Sequence, residues 1–281
     1  MTVFLFPGQG SQIKGMGETL FIKYKELTEI ADSILGYSIK KLCVEDSDNM
    51  LGMTRYTQPS LFIVNALMYL DIIEEHGKKP DYAAGHSLGE YNALFASEAF
   101  DFTTGLKLVQ KRGELMSNAK GGGMAAVIGL TDSSINLIIE ENKLSTISVA
   151  NYNSPSQIVI TGPNDDIISS QSIFEKAGAR MYIPLKVSGA FHSPYMEQAA
   201  DEFSDFIEQF VFHDLKIPVI SNSNACPYDQ NKIKETLIDQ ITRPVRWAES
   251  IRYLTGKGES DFVEVGPGKV LTNLLKQNLK R

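Results

Sequence analysis

The order of apolar and polar positions predicts strands that alternate with helices over the first third of the chain. Residues 3–6 and 81–84 are short apolar runs typical of buried strands. Between them, residues 21–35 have the apolar period of a helix, and residues 57–76 form a longer apolar helix that ends before Gly77. Strands that alternate with helices favour a mainly parallel sheet that is covered on both faces. We therefore predict an α/β fold.

A different order of elements follows in the middle of the chain. The pattern there predicts β-α-β-β-α-β, with elements at 124–130, 131–142, 147–152, 157–161, 164–177 and 180–185. This is the ferredoxin-like order, which can form a small sheet of its own. We therefore predict a small inserted subdomain at 124–188. The large subdomain then consists of residues 1–123 and 189–281, where the α/β alternation resumes.

Charge and cysteine content exclude several functions. A net charge of −7 argues against nucleic acid as the main partner, and no apolar run is long enough to span a membrane. The only two cysteines, Cys43 and Cys226, lack the spacing of a metal site. We expect them to be reduced thiols in a cytoplasmic protein without a bound metal. Nothing in the sequence indicates assembly beyond a monomer.

Residues 85–89 read Gly-His-Ser-Leu-Gly, a G-x-S-x-G motif between a predicted strand and a predicted helix. A sharp turn at this point lifts the serine out of the sheet, and flanking glycines allow the backbone to make it. The N–H of Leu88 then lies at a helix N-terminus, where it can stabilise an oxyanion. The motif alone is common by chance. Its strand-to-helix context is the reason to predict that Ser87 is an acylated nucleophile rather than a loop serine.

A serine hydroxyl needs a base within hydrogen-bond reach, and the chain has four histidines. His86 is adjacent to Ser87 but points the opposite way at a strand end. His76 lies in the last turn of a helix, and His213 lies in a surface connection. Elimination leaves His192, in the loop that returns from the small subdomain. No acidic residue stands out as a third triad member, and a backbone carbonyl is an alternative way to orient the imidazole.

Arg112 lies on the apolar side of the helix predicted over 102–116, together with Leu106 and Val109. A guanidinium group is rarely buried without an anionic partner. Arg112 either reaches the surface with its charged end, pairs with an internal partner, or binds a carboxylate of the substrate bidentately. An acyl group that has its own carboxylate is a dicarboxylic half-thioester, and malonyl is the smallest common case.

A glycine-flanked loop at residues 6–12 follows the first strand. It contains neither a complete phosphate-binding motif nor a complete dinucleotide-binding motif, which makes a nucleotide-binding function a weak alternative. At the carboxyl end of a strand, the N–H of Gln9 is suited to be a second oxyanion donor.

These motifs together resemble the malonyl-CoA:acyl carrier protein transacylases of fatty acid and polyketide synthesis. The similar stretches follow the family's order over nearly the whole chain, at 6–12, 57–59, 85–90, 112–116, 151–162, 189–194, 244–247 and 264–268. The resemblance implies an α/β-hydrolase-like large subdomain with a ferredoxin-like insertion. Within the family, residues 91–95 and 102–116 are most similar to the freestanding, trans-acting acyltransferases of polyketide synthases.

The resemblance also implies how single residues act. Ser87 becomes acylated, His192 is its base, and the N–H groups of Gln9 and Leu88 form the oxyanion hole. Arg112 holds the malonyl carboxylate. Malonyl-CoA is then the donor, the phosphopantetheine thiol of an acyl carrier protein is the acceptor, and no cofactor is bound permanently.

Three further residues receive roles from the same resemblance. Phe191 leaves little room for an alpha-methyl group, and Asn153 lines the site. A main-chain carbonyl orients the catalytic histidine, and we assign it to Arg246 in the stretch 244–247.

Two other functions compete with malonyl transfer. An editing hydrolase that clears acyl groups from carrier proteins would use the same Ser87 and His192. It would have no use for the carboxylate clamp at Arg112, because its substrates are uncharged acyl chains. A catalytically silent docking module would need none of the three residues. An acidic partner protein would require a local basic patch, for which the candidates are Lys14, Arg55, Arg180 and Lys186.

Overall fold

The computed structural model describes residues 1–280 and contains two separate sheets. The strands are β1 (Thr2–Phe6), β2 (Tyr82–Gly85), β3 (Gly122–Ile128), β4 (Ser148–Ser154), β5 (Gln157–Pro163), β6 (Met181–Pro184), β7 (Val219–Ile220) and β8 (Asp261–Glu264). The helices are α1 (Glu18–Lys23), α2 (Lys25–Leu35), α3 (Ile39–Glu45), α4 (Thr54–His76), α5 (Gly89–Ala96), α6 (Phe102–Asn118), α7 (Asp132–Glu141), α8 (Asn164–Lys176), α9 (Glu197–Ile207), α10 (Ile233–Thr242), α11 (Trp247–Gly256) and α12 (Val270–Leu279). Within residues 1–280, no helix is both long and apolar enough to cross a membrane.

The first sheet has the strand order β7-β2-β1-β8, and every pair in it is parallel. Its central strand β1 is buried from Val3 to Phe6, as expected for a strand that has helices on both faces. Because parallel strands end at the same edge of a sheet, the residues that follow them come close together. That edge has Gln9 after β1, Ser87 after β2 and Asn222 after β7.

The second sheet is antiparallel, in the order β4-β5-β3-β6, and it includes the two helices α7 and α8 in the predicted ferredoxin-like arrangement. One face has its own core, which includes Val127, Ile160 and Phe174. Met124 and Val159 instead belong to the core of the large subdomain. The small sheet therefore packs directly against the large subdomain.

The first strand of the small sheet begins earlier than its sequence pattern indicates. Gly122 and Gly123 pair with Pro163 and Gly162 in the antiparallel sheet, although we placed both glycines in the large subdomain. A Cβ on Gly122 would lie 2.0 Å from the backbone nitrogen of Ala190, so only glycine fits here. The exact subdomain boundaries stay a prediction.

Some local elements also differ from the predicted ones. The helix predicted over 21–35 is interrupted at Tyr24, whose φ of −104° and ψ of 54° are not helical. The short helix α3 was not predicted; the side chain of Ser38 caps it by accepting a hydrogen bond from the N–H of Lys41. The strand β7 is only two residues long, Val219–Ile220.

Candidate active site

Ser87 lies in the sharp turn between β2 and α5, with a φ of 51° that is unusual for a residue other than glycine. Close backbone contacts surround the turn. A Cβ on Gly8 would lie 2.3 Å from the carbonyl oxygen of His86, and one on Gly89 would lie 2.0 Å from that of Phe6. The two glycines therefore let the loop after β1 pack directly against the serine turn.

Asn222 holds the backbone of this turn from the neighbouring strand. Its Oδ1 accepts a hydrogen bond from the N–H of Ser87 at 2.7 Å, and its Nδ2 donates to the carbonyl of Gly85 at 2.6 Å. Sequence reasoning missed this residue. Its signal was a polar run that begins at Ser221, directly after a short apolar strand.

The structure brings Ser87 and His192 into direct contact. The Nε2 of His192 lies 2.8 Å from the Oγ of Ser87, and its Nδ1 lies 2.8 Å from the backbone carbonyl oxygen of Gln240. When Nδ1 has its proton and donates to the carbonyl, Nε2 is free to accept the serine proton. His192 also has a positive φ, 57°, so both reacting residues have a strained backbone.

The prediction that Arg246 supplies the orienting carbonyl is wrong. The carbonyl of Arg246 accepts hydrogen bonds from the N–H and the hydroxyl of Ser250 at the start of α11. The carbonyl of Gln240 is free because the residue four positions later is Pro244, which has no N–H to donate. Pro244 is therefore the sequence signal that points to Gln240.

The N–H groups predicted for the oxyanion hole are available. Gln9 and Leu88 both line the cleft around Ser87. Neither backbone N–H donates a hydrogen bond to any group within residues 1–280, whereas the amides of Gly89 and Glu90, next along the turn, do. Their role in stabilising an oxyanion stays a prediction.

Arg112 lies at the other end of the cleft and is only 1% exposed. Its Nη1 donates to Oε1 of Gln58 at 2.7 Å, and its Nη2 donates to Oε1 of Gln240 at 2.9 Å and to Oγ of Ser87 at 3.2 Å. The ring of Tyr91 lies below the guanidinium group, with 5.7 Å from Cζ to the ring centre. Sequence reasoning identified neither glutamine.

The guanidinium group of Arg112 has no anion in contact. Within residues 1–280, no carboxylate oxygen lies within 4.0 Å of it. The internal ion pair that we considered for Arg112 is therefore not found. A buried charge that is held only by neutral groups is costly, and a carboxylate ligand would offset that cost.

Burial and charge together lower the basicity of His192. Its pKa falls to about 3, first because burial disfavours the charged imidazolium and second because Arg112 is positive. The carbonyl of Gln240 acts in the opposite direction. Burial likewise lowers the pKa of His86. At neutral pH His192 is therefore unprotonated, which is the form that a base requires.

The cleft between these groups is small, about 100 Å³. Phe191 lines it as predicted, together with Met116, Met124, Leu185 and Val187. These apolar side chains form much of the lining of the cleft. Within residues 1–280, no three His, Cys, Asp or Glu side chains are grouped in a way that could hold a metal ion.

Asn153 does not line the cleft, contrary to our prediction. Its Oδ1 lies 2.8 Å from Nε2 of His86, and Asn151 on the same strand lines the cleft instead. Asn151 pairs with Val159 on β5, but a second register shift between Tyr152 and Ser154 leaves Asn153 unpaired there, beside His86.

A nucleophile, a base, two free N–H donors and a cation in one narrow cleft are suited to acyl transfer. Residues 3–281 match the model of the family described as acyl transferase domain. The chain belongs to this acyl transferase family. The match covers nearly all of the sequence, so the family assignment applies to both subdomains together.

This acyltransferase is similar to proteins of bacterial polyketide biosynthesis. It is 55% identical to the malonyl CoA-acyl carrier protein transacylase BaeC of Bacillus velezensis, over 98% of this chain and 96% of BaeC. It is also 55% identical to the polyketide biosynthesis protein PksE of Bacillus subtilis, of which it spans only 36%. The resemblance to this family, stated from the motifs alone, is confirmed.

The fold class is confirmed by a solved structure. The malonyl CoA-acyl carrier protein transacylase of Burkholderia pseudomallei is 47% identical to this acyltransferase, with a TM-score of 0.96 over 99% of this chain and 97% of that one. A parallel sheet with a separate ferredoxin-like sheet is thus the arrangement that the motifs predicted.

Proposed function

We propose that this acyltransferase transfers a malonyl group from malonyl-CoA to the phosphopantetheine thiol of an acyl carrier protein in polyketide biosynthesis. The observation that supports this most directly is Arg112, a buried cation without an anion in contact, 3.2 Å from the nucleophilic oxygen of Ser87. A malonyl group esterified to Ser87 would place its own carboxylate at that cation. The printed name of BaeC supports the same substrate and the polyketide pathway.

The first half of the reaction loads the enzyme. Nε2 of His192 takes the proton of Ser87 as Oγ attacks the thioester carbonyl of malonyl-CoA. The negative oxygen of the tetrahedral intermediate accepts hydrogen bonds from the N–H groups of Gln9 and Leu88. The carbon–sulfur bond then breaks, and the CoA thiolate takes the proton from His192. The product of this half is malonyl-Ser87 and free CoA.

The second half of the reaction transfers the malonyl group from Ser87 to the carrier protein. The phosphopantetheine thiol of the carrier protein gives its proton to His192 and attacks the malonyl-Ser87 ester. The same N–H groups stabilise the second tetrahedral intermediate. When the carbon–oxygen bond breaks, His192 returns the proton to Ser87 Oγ. The order of the two halves is ping-pong, because CoA leaves before the carrier thiol reacts.

Arg112 links substrate choice to reactivity. Its positive charge is one cause of the lowered pKa of His192. A malonyl carboxylate bound to Arg112 offsets that charge, so it makes His192 a stronger base at the moment when the correct substrate is bound. Phe191 and Met116 line the cleft. We expect the bulk of Phe191 to leave little room for an alpha-methyl branch on the acyl group.

The remaining predictions concern the surroundings of the enzyme. We propose a monomer in the cytoplasm that has no permanently bound cofactor and receives the phosphopantetheine group on its partner. Cys43 and Cys226 are free thiols in the structure, as expected for a reducing compartment.

Intact-protein mass spectrometry tests the function. Wild-type enzyme mixed with malonyl-CoA should gain one malonyl group, which disappears when a holo-carrier protein is added and reappears on the carrier. Ser87→Ala should gain none. A malonyl adduct on Ser87→Ala would contradict the assignment of the nucleophile. Loss of the adduct to water as fast as to the carrier would favour the editing hydrolase.

A further inference from the structure

A buried carboxylate, Glu90, lies behind the cleft and takes no part in the reaction described above. It is 0% exposed. Its Oε2 accepts a hydrogen bond from Nε2 of Gln240 at 2.6 Å. Its Oε1 accepts from the hydroxyl of Tyr228 at 2.5 Å and from the N–H of Asn222 at 3.1 Å. Three donors therefore converge on one carboxylate, and within residues 1–280 no cation lies within 4.0 Å of it.

The carboxylate of Glu90 fixes which way the amide of Gln240 points. An ionised carboxylate only accepts hydrogen bonds, so the NH₂ of Gln240 must face it. The same NH₂ also donates to the carbonyl of Ser87 at 2.7 Å. The amide oxygen of Gln240 is thereby turned towards Arg112, and it accepts a hydrogen bond from Nη2 of Arg112 at 2.9 Å. A flipped amide would place NH₂ against the guanidinium group and oxygen against two acceptors.

The negative charge of Glu90 is thus separated from Arg112 by the side-chain amide of Gln240. A carboxylate in direct contact would occupy the guanidinium fork and compete with a carboxylate of the substrate. With Gln240 between them, Glu90 still offsets part of the positive charge of Arg112, while Arg112 touches only neutral oxygens. The guanidinium group of Arg112 is thus held in place and remains available to bind a carboxylate of the substrate.

We propose that Glu90 is a positioning residue which, through Gln240, holds Arg112 ready for a carboxylate and so sets the preference for malonyl over acetyl groups. This inference rests on the proposed function. It predicts that Glu90 acts on the choice of substrate more than on the reaction itself, because Ser87 and His192 serve both acyl groups alike.

Glu90 also has an effect that is not specific to the acyl group. Its Oε1 holds the N–H of Asn222, and the side chain of Asn222 holds the Ser87 turn. A change at Glu90 that acted only through this second route would slow malonyl and acetyl transfer by the same factor. The ratio of the two rates therefore separates the positioning role from a merely structural one.

The test compares Glu90→Gln with Tyr228→Phe as its matched control. A glutamine at position 90 can offer an acceptor to Gln240 or to Asn222, but not to both, so Gln240 loses its fixed orientation. We expect the ratio of kcat/KM for malonyl-CoA to that for acetyl-CoA to fall about tenfold, mainly through the KM of malonyl-CoA. Both variants are compared with the wild type well above pH 7, where Glu90 is ionised. Under that condition Tyr228→Phe removes one donor from the other carboxylate oxygen and should leave the ratio unchanged.

The pH dependence of the same ratio is a second readout. Burial raises the pKa of Glu90 to about 7, against the opposing effects of Tyr228, Gln240, Asn222 and Arg112. As pH falls through about 7, Glu90 takes up a proton and loses its acceptor-only character. The malonyl-to-acetyl ratio of the wild type should then fall, and that of Glu90→Gln should stay constant. His192 acts on both substrates, so its own titration cancels in the ratio.

A double variant covers the case in which Glu90→Gln does not fold. Glu90→Gln combined with Gln240→Glu restores matched donors and acceptors between positions 90 and 240, but it places a carboxylate directly on Arg112. We expect a folded enzyme that still transfers acetyl groups and keeps a low malonyl-to-acetyl ratio. A wild-type ratio in this double variant would overturn the proposal.

The single variant can also overturn the proposal. The proposal is wrong if Glu90→Gln retains the wild-type malonyl-to-acetyl ratio, or if malonyl and acetyl transfer decline equally in it. A wild-type enzyme that does not prefer malonyl would instead overturn the proposed function, so the two failures are distinguishable.

Discussion

The two ends of the cleft differ in the kind of group that positions the functional side chains. At the reaction end, the backbone carbonyl of Gln240 accepts from His192, and Gln9 and Leu88, whose N–H groups are the predicted oxyanion donors, line the cleft. At the clamp end, the side-chain amides of Gln58 and Gln240 hold Arg112. Backbone groups stay in place as long as the fold does, whereas amide side chains depend on their own partners. Reactivity therefore depends mainly on backbone groups and substrate choice on side chains, while Arg112 couples the two through the pKa of His192.

The largest expected effect is at the reaction end, because every acyl group uses it. His192→Ala should lower the rate of Ser87 acylation about 10³-fold, since general-base catalysis contributes roughly that much. Malonyl-CoA and acetyl-CoA should both show a loss of that order, which single-turnover acylation followed by rapid quench would measure. A selective loss for one of them would mean that the reaction end also takes part in substrate choice.

Removal of Arg112 should give the next largest effect, and this effect should fall mainly on malonyl-CoA. Arg112→Ala should lower kcat/KM for malonyl-CoA about 100-fold, because a buried charge-assisted hydrogen-bond pair is lost, and affect acetyl-CoA far less. Lys107→Ala is the matched control, since Lys107 is exposed on the same helix. A malonyl preference that survives in Arg112→Ala would exclude Arg112 as the selective group.

A smaller effect is expected in the pH profile. With the pKa of His192 lowered to about 3, acetyl transfer should stay nearly constant between pH 7 and pH 5, where an ordinary histidine would become protonated and inactive. Arg112→Gln removes a positive charge, so it should raise this pKa and move the acid limb of the profile towards neutral pH. An acid limb that is identical in both enzymes would contradict the electrostatic coupling between the two ends.

The smallest effect is expected at Asn153. Asn153→Ala removes the partner of His86 and should cost about 1 kcal/mol of the free energy of unfolding, the net value of one hydrogen bond. It should leave the malonyl-to-acetyl ratio unchanged, whereas Asn151→Ala on the cleft wall should alter it. Thermal unfolding and steady-state kinetics of the two variants make this comparison. A changed ratio in Asn153→Ala would mean that Asn153 reaches the substrate after all.

The sequence alone could predict the residues that have a local signal, but not those that are defined by side-chain contacts between distant parts of the chain. Ser87 has a local motif, His192 is left by elimination, and Arg112 lies on an apolar helix face, so each of the three was identified from nearby residues. Gln240 was not, because its contacts with Ser87 and Glu90 span 153 and 150 positions of the chain. No local pattern distinguishes a glutamine that will be buried beside a guanidinium group from one at the surface.

The fold was predictable to a similar extent. Periodicity located the β-α-β-β-α-β unit and the strands around Ser87, since both depend on short-range apolar patterns. It placed the start of the small sheet after Gly122 and Gly123, because glycine gives no apolar signal even where it is paired in a strand. The assignment of the histidine partner to Arg246 failed for a related reason. The resemblance placed the carbonyl in the stretch 244–247, whereas it belongs to Gln240, in the last turn of the preceding helix.

Pro244 has a consequence for how such an enzyme can acquire new substrates. The carbonyl that His192 requires is left free by the proline four residues later, and it does not depend on which side chain position 240 has. Substitutions at position 240 can therefore retune the position of Arg112 while the carbonyl that orients His192 is kept. A laboratory selection for donors without a carboxylate would do well to start at this one position.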